Sequence, residues 1–250
     1  MFNDEFTAAA NGAAGKLKLL NNNPLGYFML SVLAGAYIGF GILLVFTLSG
    51  ALDGAPYTKL VMGCCFGVAL SLVIIAGAEL FTGNTMVMSA GLFKKTVSFA
   101  DVLKLWIICW IGNLAGSIVV GFLFTLTGLA DGAVLDFMVS GTMAKTSASA
   151  TALLARGILC NILVCLAVWC ATKLESEPAK LIMTFWCLYA FVTSGFEHSI
   201  ANMSLFAATL MSSQAVTAGA CAYNLGVVTI GNMIGGIVFV ALPYFVASKK

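Results

Sequence analysis

The sequence predicts an all-α membrane protein with six transmembrane helices arranged as a 3+3 inverted repeat, in which helices two and five are interrupted. Three observations predict it. Of the 250 residues 61% are hydrophobic and only 9% are charged, several apolar runs are long enough to cross a bilayer, and similar motifs recur in the two halves. A soluble domain of this length cannot bury so much apolar surface. We therefore expect residues 1–250 to form a single transmembrane domain.

Six apolar runs come near or above the roughly 20 residues that cross the hydrocarbon core. They are Tyr27–Gly50, Leu60–Val87, Val102–Leu129, Thr151–Thr172, Leu181–Leu210 and Ala222–Val246. Before them, residues 1–23 show apolar side chains three or four positions apart, which predicts an amphipathic helix on the cytoplasmic face. An anchoring role for this helix is favoured over a gating role. The N-terminus lacks the residue order of a signal peptide, so the first run is expected to direct insertion.

Basic residues predict the orientation, because short cytoplasmic loops carry an excess of Lys and Arg. Most of them fall on one side of the predicted spans, namely Lys16, Lys18, Lys94, Lys95, Lys104, Lys173, Lys180, Lys249 and Lys250. Only Lys59, Lys145 and Arg156 fall on or near the other side. Both termini are therefore expected to be cytoplasmic.

Composition also excludes several classes of function. A net charge of +2 without a basic, aromatic-rich patch does not indicate nucleic-acid binding. The eight cysteines fall within or beside apolar runs without a metal-type CxxC spacing, so most are expected to be small buried hydrophobes, with disulfides or metal binding as the disfavoured alternative. No metal and no cofactor are expected, and without a Walker-type loop neither is direct coupling to ATP.

Motifs in the first half recur in the second. The stretch GNLAGSIVVG at 112–121 resembles GNMIGGIVFV at 231–240, and the triplet GIL occurs at Gly41 and again at Gly157. Halves with an odd number of spans insert with opposite orientations, which predicts a pseudo-two-fold axis in the membrane plane. The two predicted repeats are residues 24–130 and 131–250.

Two stretches inside apolar runs are unusual for helices in hydrocarbon. AGAELFTGNTM contains Glu79 and Asn84, and FEHSIANM contains Glu197 and Asn202 at the same spacing. Irregular backbone is tolerated at this depth only where it is buried in protein or lines a watery cavity, so each stretch is expected to break its helix. The second half-helices, expected to begin near Gly83–Asn84 and near Ile200–Asn202, would direct unpaired N–H groups and positive dipole ends at one chamber, which favours an anion.

Thr82 and His198 are expected just before these half-helices, close to a permeating species. His198 is the only histidine, and intramembrane ionisable groups are functional by default. It either donates a proton to the anion, so that a neutral acid crosses, or offers a hydrogen bond and positive potential. Glu79 and Glu197 would repel an anion, so they are expected to turn away and accept hydrogen bonds from the N–H groups of the breaks, with proton coupling as the alternative.

Other residues near the breaks are ambiguous by themselves. Lys145 lies in the polar linker GTMAKTSASA, residues 141–150, which leads into the run containing Asn161. Taken alone, Lys145 is expected to be a solvated loop lysine. Large apolar residues near the breaks are either ordinary packing or hydrophobic constrictions of a pore; they are Leu80, Phe81, Phe66, Leu70, Phe191 and Val164.

The stretches AGAELFTGN, GILCNILVCLA and FEHSIANM resemble the two signature stretches and the fifth-helix break of the formate/nitrite transporter family. They occur in the family's order and the resemblance covers essentially the whole chain. Among branches, overall similarity favours the bacterial hydrosulfide ion channels. The resemblance implies an aquaporin-like protomer with its own pore, a homopentamer, and a place in the bacterial cytoplasmic (inner) membrane.

The resemblance also implies roles for individual residues. It makes Thr82 and His198 polar contacts of the pore, and it assigns Lys145 and Asn161 to the charge and hydrogen bonding around His198, which favours a functional Lys145. The apolar constriction or lining residues that it implies are Leu80, Phe81, Phe66, Leu70, Phe191 and Val164. Support of the helix breaks is expected from Glu79, Asn84, Glu197 and Asn202.

The function predicted is a passive channel for small monovalent anions of weak acids, hydrosulfide first and formate or nitrite also. A proton-coupled carrier that uses His198 is the alternative. An aquaporin-like channel for neutral solutes is disfavoured because the Asn-Pro-Ala boxes of that class are absent. A membrane enzyme is disfavoured because one histidine without clustered ligands or a nucleophile motif offers little chemistry.

Overall fold

In the computed structural model, which describes residues 2–52 and 54–249, helices follow one another with short connections. They are α1 (Asn3–Asn22), α2 (Pro24–Leu52), α3 (Thr58–Ile75), α4 (Phe81–Phe93), α5 (Phe99–Leu126), α6 (Gly132–Thr146), α7 (Ala150–Lys173), α8 (Glu177–Thr193), α9 (Ser199–Ser212), α10 (Ala218–Gly236) and α11 (Leu242–Ser248), with a π-helical turn, Ile237–Ala241, between the last two. Lys250, used above for orientation, lies outside the described residues. The all-α prediction is confirmed.

Among the described residues, five helical segments are long and apolar enough to cross a membrane: α2, α3, α5, α7 and the continuous segment Ala218–Ser248. The second predicted run divides into α3 and α4, and the fifth divides into α8 and α9. Both predicted interruptions are therefore present. Because α8 and α9 have only 17 and 14 residues, the count of six spans with three in each half stays a prediction.

The two interruptions share one backbone conformation. Gly77 follows α3 with a φ of +78°, and Gly195 follows α8 with a φ of +75°. Beyond each glycine, a backbone N–H donates to a carbonyl five residues earlier at 3.0 Å, from Ala78 to Val73 and from Phe196 to Phe191. A left-handed glycine with this return bond ends a helix abruptly, and a side chain at either glycine would be strained.

The GNLAGS and GNMIGG motifs bring helices into close contact. Gly116 of α5 lies against the carbonyl of Val32 in α2, and Gly235 of α10 lies against the carbonyl of Ile158 in α7. A Cβ at either glycine would collide with that carbonyl oxygen. Small residues at such crossings let helices pack by direct backbone contact, which replaces the hydrophobic driving force that is missing within lipid.

Two helices precede the spans of the two halves. α1 buries an apolar face that includes Phe6, Ala13 and Leu20, while its placement on the cytoplasmic face stays a prediction. α6 contains Lys145, so the prediction of a polar linker over 141–150 was wrong. Only residues 147–149 connect α6 to α7, because the Ser149 side chain accepts the Ala152 N–H at 3.3 Å and starts the next helix there.

Candidate functional site

Two cavities enter the protein from opposite ends of α7. The first, here called the α6 vestibule, has a volume of about 680 Å³ and is lined by residues that include Phe66, Lys145, Arg156, Phe191 and His198. The second, the α1 vestibule, has a volume of about 480 Å³ and is lined by residues that include Lys16, Leu70, Glu79, Leu80 and Asn84. Between the two vestibules lies a buried layer.

Thr82 and His198 meet in this layer. The Thr82 Oγ1 and His198 Nε2 atoms are 3.0 Å apart, and both side chains are buried. His198 occupies the N-cap position of α9, as expected. Thr82 is the second residue of α4 and does not precede it, so the predicted start near Gly83–Asn84 was too late. The reason is that the Asn113 side chain caps the Phe81 N–H at 2.9 Å, which lets α4 begin at Phe81.

The hydrogen bonds of His198 determine where its proton lies. Its Nδ1 accepts the Ala201 N–H at 3.1 Å. A ring nitrogen that accepts a hydrogen bond carries no proton, so the proton of the neutral ring is on Nε2. Nε2 therefore donates to Thr82 Oγ1, which leaves the Thr82 hydroxyl hydrogen available to another acceptor. The layer presents a hydrogen-bond donor without a formal charge.

The starts of α4 and α9 add backbone donors to this layer. In the part of the chain that the structure describes, the N–H groups of Thr82, Gly83 and Ile200 have no protein acceptor. Each belongs to the first turn of its helix, where the dipole is positive. The meeting point of the two half-helices is suited to an anion.

In the second half of the chain, a lysine, a glutamate and an asparagine form one group. Lys145 Nζ lies 3.0 Å from Glu197 Oε1, and Asn202 Nδ2 donates to Glu197 Oε2 at 2.6 Å. We expected the Glu197 carboxylate to accept N–H groups of the break, which was wrong. Its two oxygens are instead occupied by the Lys145 ammonium and the Asn202 amide, so Glu197 is neutralised by Lys145.

The first half repeats this group with residues from different elements. Lys16 of α1 donates to Glu79 Oε1 at 2.6 Å, and Asn84 Nδ2 donates to Glu79 Oε2 at 2.8 Å. The expectation that Glu79 accepts backbone N–H groups was wrong for the same reason. From the sequence, Lys16 served only to predict the orientation of the chain. Its pairing with Glu79 was not predicted, because the two residues lie 63 positions apart. Each vestibule thus contains one neutralised carboxylate.

Asn113 shapes the first break, and its role was missed from the sequence. Its Oδ1 accepts the Phe81 N–H at 2.9 Å, while its Nδ2 donates to the carbonyls of Glu79 at 2.9 Å and Ser31 at 2.7 Å. One amide thus ties the break and the start of α4 to α2. The available signal was the asparagine that follows glycine in both repeated motifs.

Asn232 makes the same contacts in the second break. Its Oδ1 accepts the Ser199 N–H at 2.9 Å, and its Nδ2 donates to the carbonyls of Glu197 at 2.9 Å and Gly157 at 2.8 Å. Gly157 therefore stands where the first half has Ser31. The two GIL triplets are not equivalent positions, so that part of the sequence comparison was wrong.

Asn161 supports the start of α4 rather than contacting His198 directly. Its Nδ2 lies within hydrogen-bond distance of Thr82 O at 3.2 Å, Thr85 Oγ1 at 2.9 Å and Asn232 O at 2.6 Å. Asn161 is fully buried. It connects α7 to both halves at the level of the layer.

Aromatic rings form the floor of the α6 vestibule. The Phe66 and Phe191 rings meet edge to face with centroids 5.7 Å apart, and Phe191 stacks on His198 at 6.0 Å. All three residues line this vestibule. An anion that reaches His198 from this side must pass an apolar surface.

The other predicted apolar residues divide into two groups. Leu70 and Leu80 line the α1 vestibule. Phe81 packs against Trp106 with ring centroids 6.4 Å apart, and Val164 is buried on α7. Neither Phe81 nor Val164 is among the residues that line the two vestibules.

Similarity to known proteins covers almost the whole length of the chain. The sequence model of the formate/nitrite transporter family matches residues 4–246. The chain belongs to the formate/nitrite transporter family. It is 45% identical to the nitrite transporter NirC of Salmonella typhimurium, with 100% of this chain and 93% of that protein aligned. It is 38% identical to the probable formate transporter of Methanothermobacter thermautotrophicus, with 98% and 96% aligned.

Solved structures support the family membership. An FNT family ion channel superposes with a TM-score of 0.94 at 44% identity, covering 98% of this chain and 99% of that one. A pentameric formate channel with formate bound superposes with a TM-score of 0.79 at 28% identity, covering 90% and 98%. The predicted formate/nitrite transporter family and the prediction that the protein is not an enzyme are confirmed.

The two halves of this formate/nitrite transporter differ where they meet. When the two halves are aligned on Glu79 and Glu197, His198 matches Leu80 of the first half, and Thr82 matches Ile200 of the second half. The backbone of the two breaks is similar, but each half contributes its polar side chain from a position where the other half has an apolar residue. One imidazole and one hydroxyl form its polar centre.

We expect Tyr27→Phe to have a small effect. The buried Tyr27 hydroxyl accepts Asn84 Nδ2 at 3.2 Å, and losing one neutral hydrogen bond costs about 1 kcal/mol. The melting temperature in detergent should fall by about 2–4 °C. Anion flux should stay within about twofold of wild type, because the Lys16–Glu79 pair remains. A larger loss of flux at unchanged stability would contradict the supporting role of Tyr27.

Proposed function

We propose that this protein is a passive channel for small monovalent anions of weak acids, with one passage through each protomer. The observation that carries the proposal is the contact of Thr82 with His198 at the point where the N-terminal ends of α4 and α9 meet. Donors at this point replace part of the hydration of an anion. The aromatic floor of the α6 vestibule on one side, and Leu70 and Leu80 of the α1 vestibule on the other, exclude larger or more strongly hydrated solutes.

The hydrogen bond from Ala201 to His198 favours a channel over a proton-coupled carrier. A histidine that gives a proton to the anion must first be an imidazolium, which carries hydrogens on both ring nitrogens. The Nδ1 hydrogen would then face the Ala201 N–H, which now donates to Nδ1 at 3.1 Å. This favours the neutral His198 that only offers a hydrogen bond.

The remaining site residues have proposed roles in the same passage. Lys145 and Lys16 neutralise Glu197 and Glu79, so that an approaching anion meets no net negative charge. The proposed polar residues are Thr82, His198, Lys145 and Asn161, the proposed constriction residues are Leu80, Phe81, Phe66, Leu70, Phe191 and Val164, and the proposed supports of the breaks are Glu79, Asn84, Glu197 and Asn202.

The relatives support proposals for the substrates, the assembly and the location. Nitrite is the substrate in the name of NirC, and formate is bound in the pentameric channel. We therefore propose nitrite and formate as substrates beside hydrosulfide, the anion favoured by sequence resemblance. We further propose a homopentamer in the bacterial inner membrane with both termini in the cytoplasm.

Flux into proteoliposomes tests the function. Nitrite, formate, hydrosulfide, chloride and glycerol are compared over a range of pH, with protein-free vesicles as the control. We expect the three weak-acid anions to carry electrogenic current that follows the concentration of the anion. Uptake that follows the undissociated acid would favour the proton-coupled carrier. Glycerol flux equal to anion flux would identify a neutral-solute channel, and equal chloride flux would remove the restriction to weak acids.

A further inference from the structure

Arg156 and Leu30 occupy matching positions in the two halves. The Arg156 carbonyl accepts the Glu197 N–H at 3.3 Å, and the Leu30 carbonyl accepts the Glu79 N–H at 3.2 Å. Arg156 lines the α6 vestibule, whereas Leu30 lines the α1 vestibule. The same backbone position therefore places a guanidinium in one entrance and an isobutyl group in the other.

The backbone around Arg156 is held firmly. Its own carbonyl is bonded to the Glu197 N–H, and the carbonyl of the next residue, Gly157, accepts Asn232 Nδ2 at 2.8 Å. Both donors belong to the second break and its support. The Cα of Arg156 is thus fixed relative to His198, which directly follows Glu197 in the chain.

The guanidinium of Arg156 is available in the α6 vestibule. Lys145, another cation that lines this cavity, is engaged by Glu197 at 3.0 Å. Across residues 2–52 and 54–249, Arg156 and Lys59 form no salt bridge. Both are exposed residues of the cavity lining. An anion entering here meets Arg156 before the floor formed by Phe66 and Phe191.

A guanidinium discriminates among anions by their shape. Its planar fork of N–H groups matches two oxygens in one plane and forms two parallel hydrogen bonds with them. Nitrite and formate have this geometry, whereas hydrosulfide and chloride have a single accepting centre. We propose that Arg156 is a docking residue of the α6 vestibule that binds planar two-oxygen anions in preference to single-centre anions. This rests on the proposed channel function and deepens it.

The test separates shape from charge. Arg156→Lys keeps the positive charge and removes the fork, and Arg156→Leu reproduces the α1 vestibule. For Arg156→Lys we expect the half-saturation concentrations of nitrite and formate to rise about fivefold to tenfold, with maximal rates within about twofold of wild type. Hydrosulfide should keep its half-saturation concentration. Arg156→Leu should raise the values for nitrite and formate at least as much.

Lys59→Gln is the matched control, because it removes a cation from the lining of the same cavity. It should change all three anions alike, since it alters only the electrostatic potential. If Arg156→Lys behaves as wild type, or shifts hydrosulfide as much as nitrite, the docking role is overturned. Size-exclusion chromatography reports assembly, and if Arg156→Leu does not assemble, Arg156→Lys decides. Absence of flux in the wild-type protein would instead refute the proposed function.

Discussion

His198→Phe is expected to reduce anion flux about 100-fold, the largest effect of any substitution considered. Phenylalanine removes the Nε2–H that donates to Thr82 and extends the apolar floor through the midpoint. Losing hydrogen bonding to an anion costs about 1.5–3 kcal/mol, and about 2.7 kcal/mol corresponds to 100-fold in rate. The measurement is the nitrite or formate flux per reconstituted protein, with assembly checked by size-exclusion chromatography.

His198→Asn is the matched control for this substitution. Asparagine is a favoured N-cap residue, so its side-chain oxygen can accept the Ala201 N–H that His198 now accepts. Its amide also retains a donor, although it reaches less far than the imidazole. We expect flux about tenfold below wild type and a pH dependence like that of wild type. If His198→Asn is as inactive as His198→Phe, proton donation by the histidine is favoured, and full flux in His198→Phe would refute a role at the midpoint.

The sequence allowed the two helix breaks to be predicted because their causes are local. Glu79 and Glu197 are costly in hydrocarbon, and Gly77 and Gly195 readily adopt the left-handed conformation that ends a helix. The start of α4 was predicted too late because its cap comes from Asn113, 32 residues away along the chain. Local propensity carries no information about such a distant cap.

The partners of the break carboxylates could not be predicted for a similar reason. Lys145 was expected in a linker because threonine and serine surround it, yet it ends α6 and meets Glu197 52 residues later. Lys16 lies on a helix for which anchoring was favoured over gating, but its ammonium reaches Glu79. Both pairings depend on how separate helices pack, and only the three-dimensional structure shows that they match.

Lys145→Met is expected to lower the free energy of unfolding by about 2 kcal/mol and the anion flux about 30-fold. It leaves the Glu197 carboxylate, whose side chain is 3% exposed, with Asn202 as its remaining side-chain partner. Breaking a buried ion pair costs about 3–5 kcal/mol, and the 24% exposure of the Lys145 side chain lowers that figure. An unpaired carboxylate beside His198 also adds roughly 2 kcal/mol of repulsion to an anion.

Thermal unfolding in detergent and flux in proteoliposomes measure the two effects. Lys16→Met is the matched control, because it breaks the equivalent pair where the Glu79 side chain is 10% exposed. It should destabilise the protein less than Lys145→Met. Adding Glu197→Gln to Lys145→Met removes the unpaired charge and should recover most of the stability. Wild-type stability in Lys145→Met, or a larger loss in Lys16→Met, would contradict this account.

The two halves place different residues at their meeting point, and this difference limits how many anions the polar side chains there can hold. Leu80 occupies the position in the first half that matches His198 in the second. Polar side chains therefore form one binding site for an anion, between two apolar segments of the passage. Under the proposed channel function, polar side chains hold no second dehydrated anion behind the first. We therefore expect competing anions to occupy the midpoint one at a time and to reduce each other's flux.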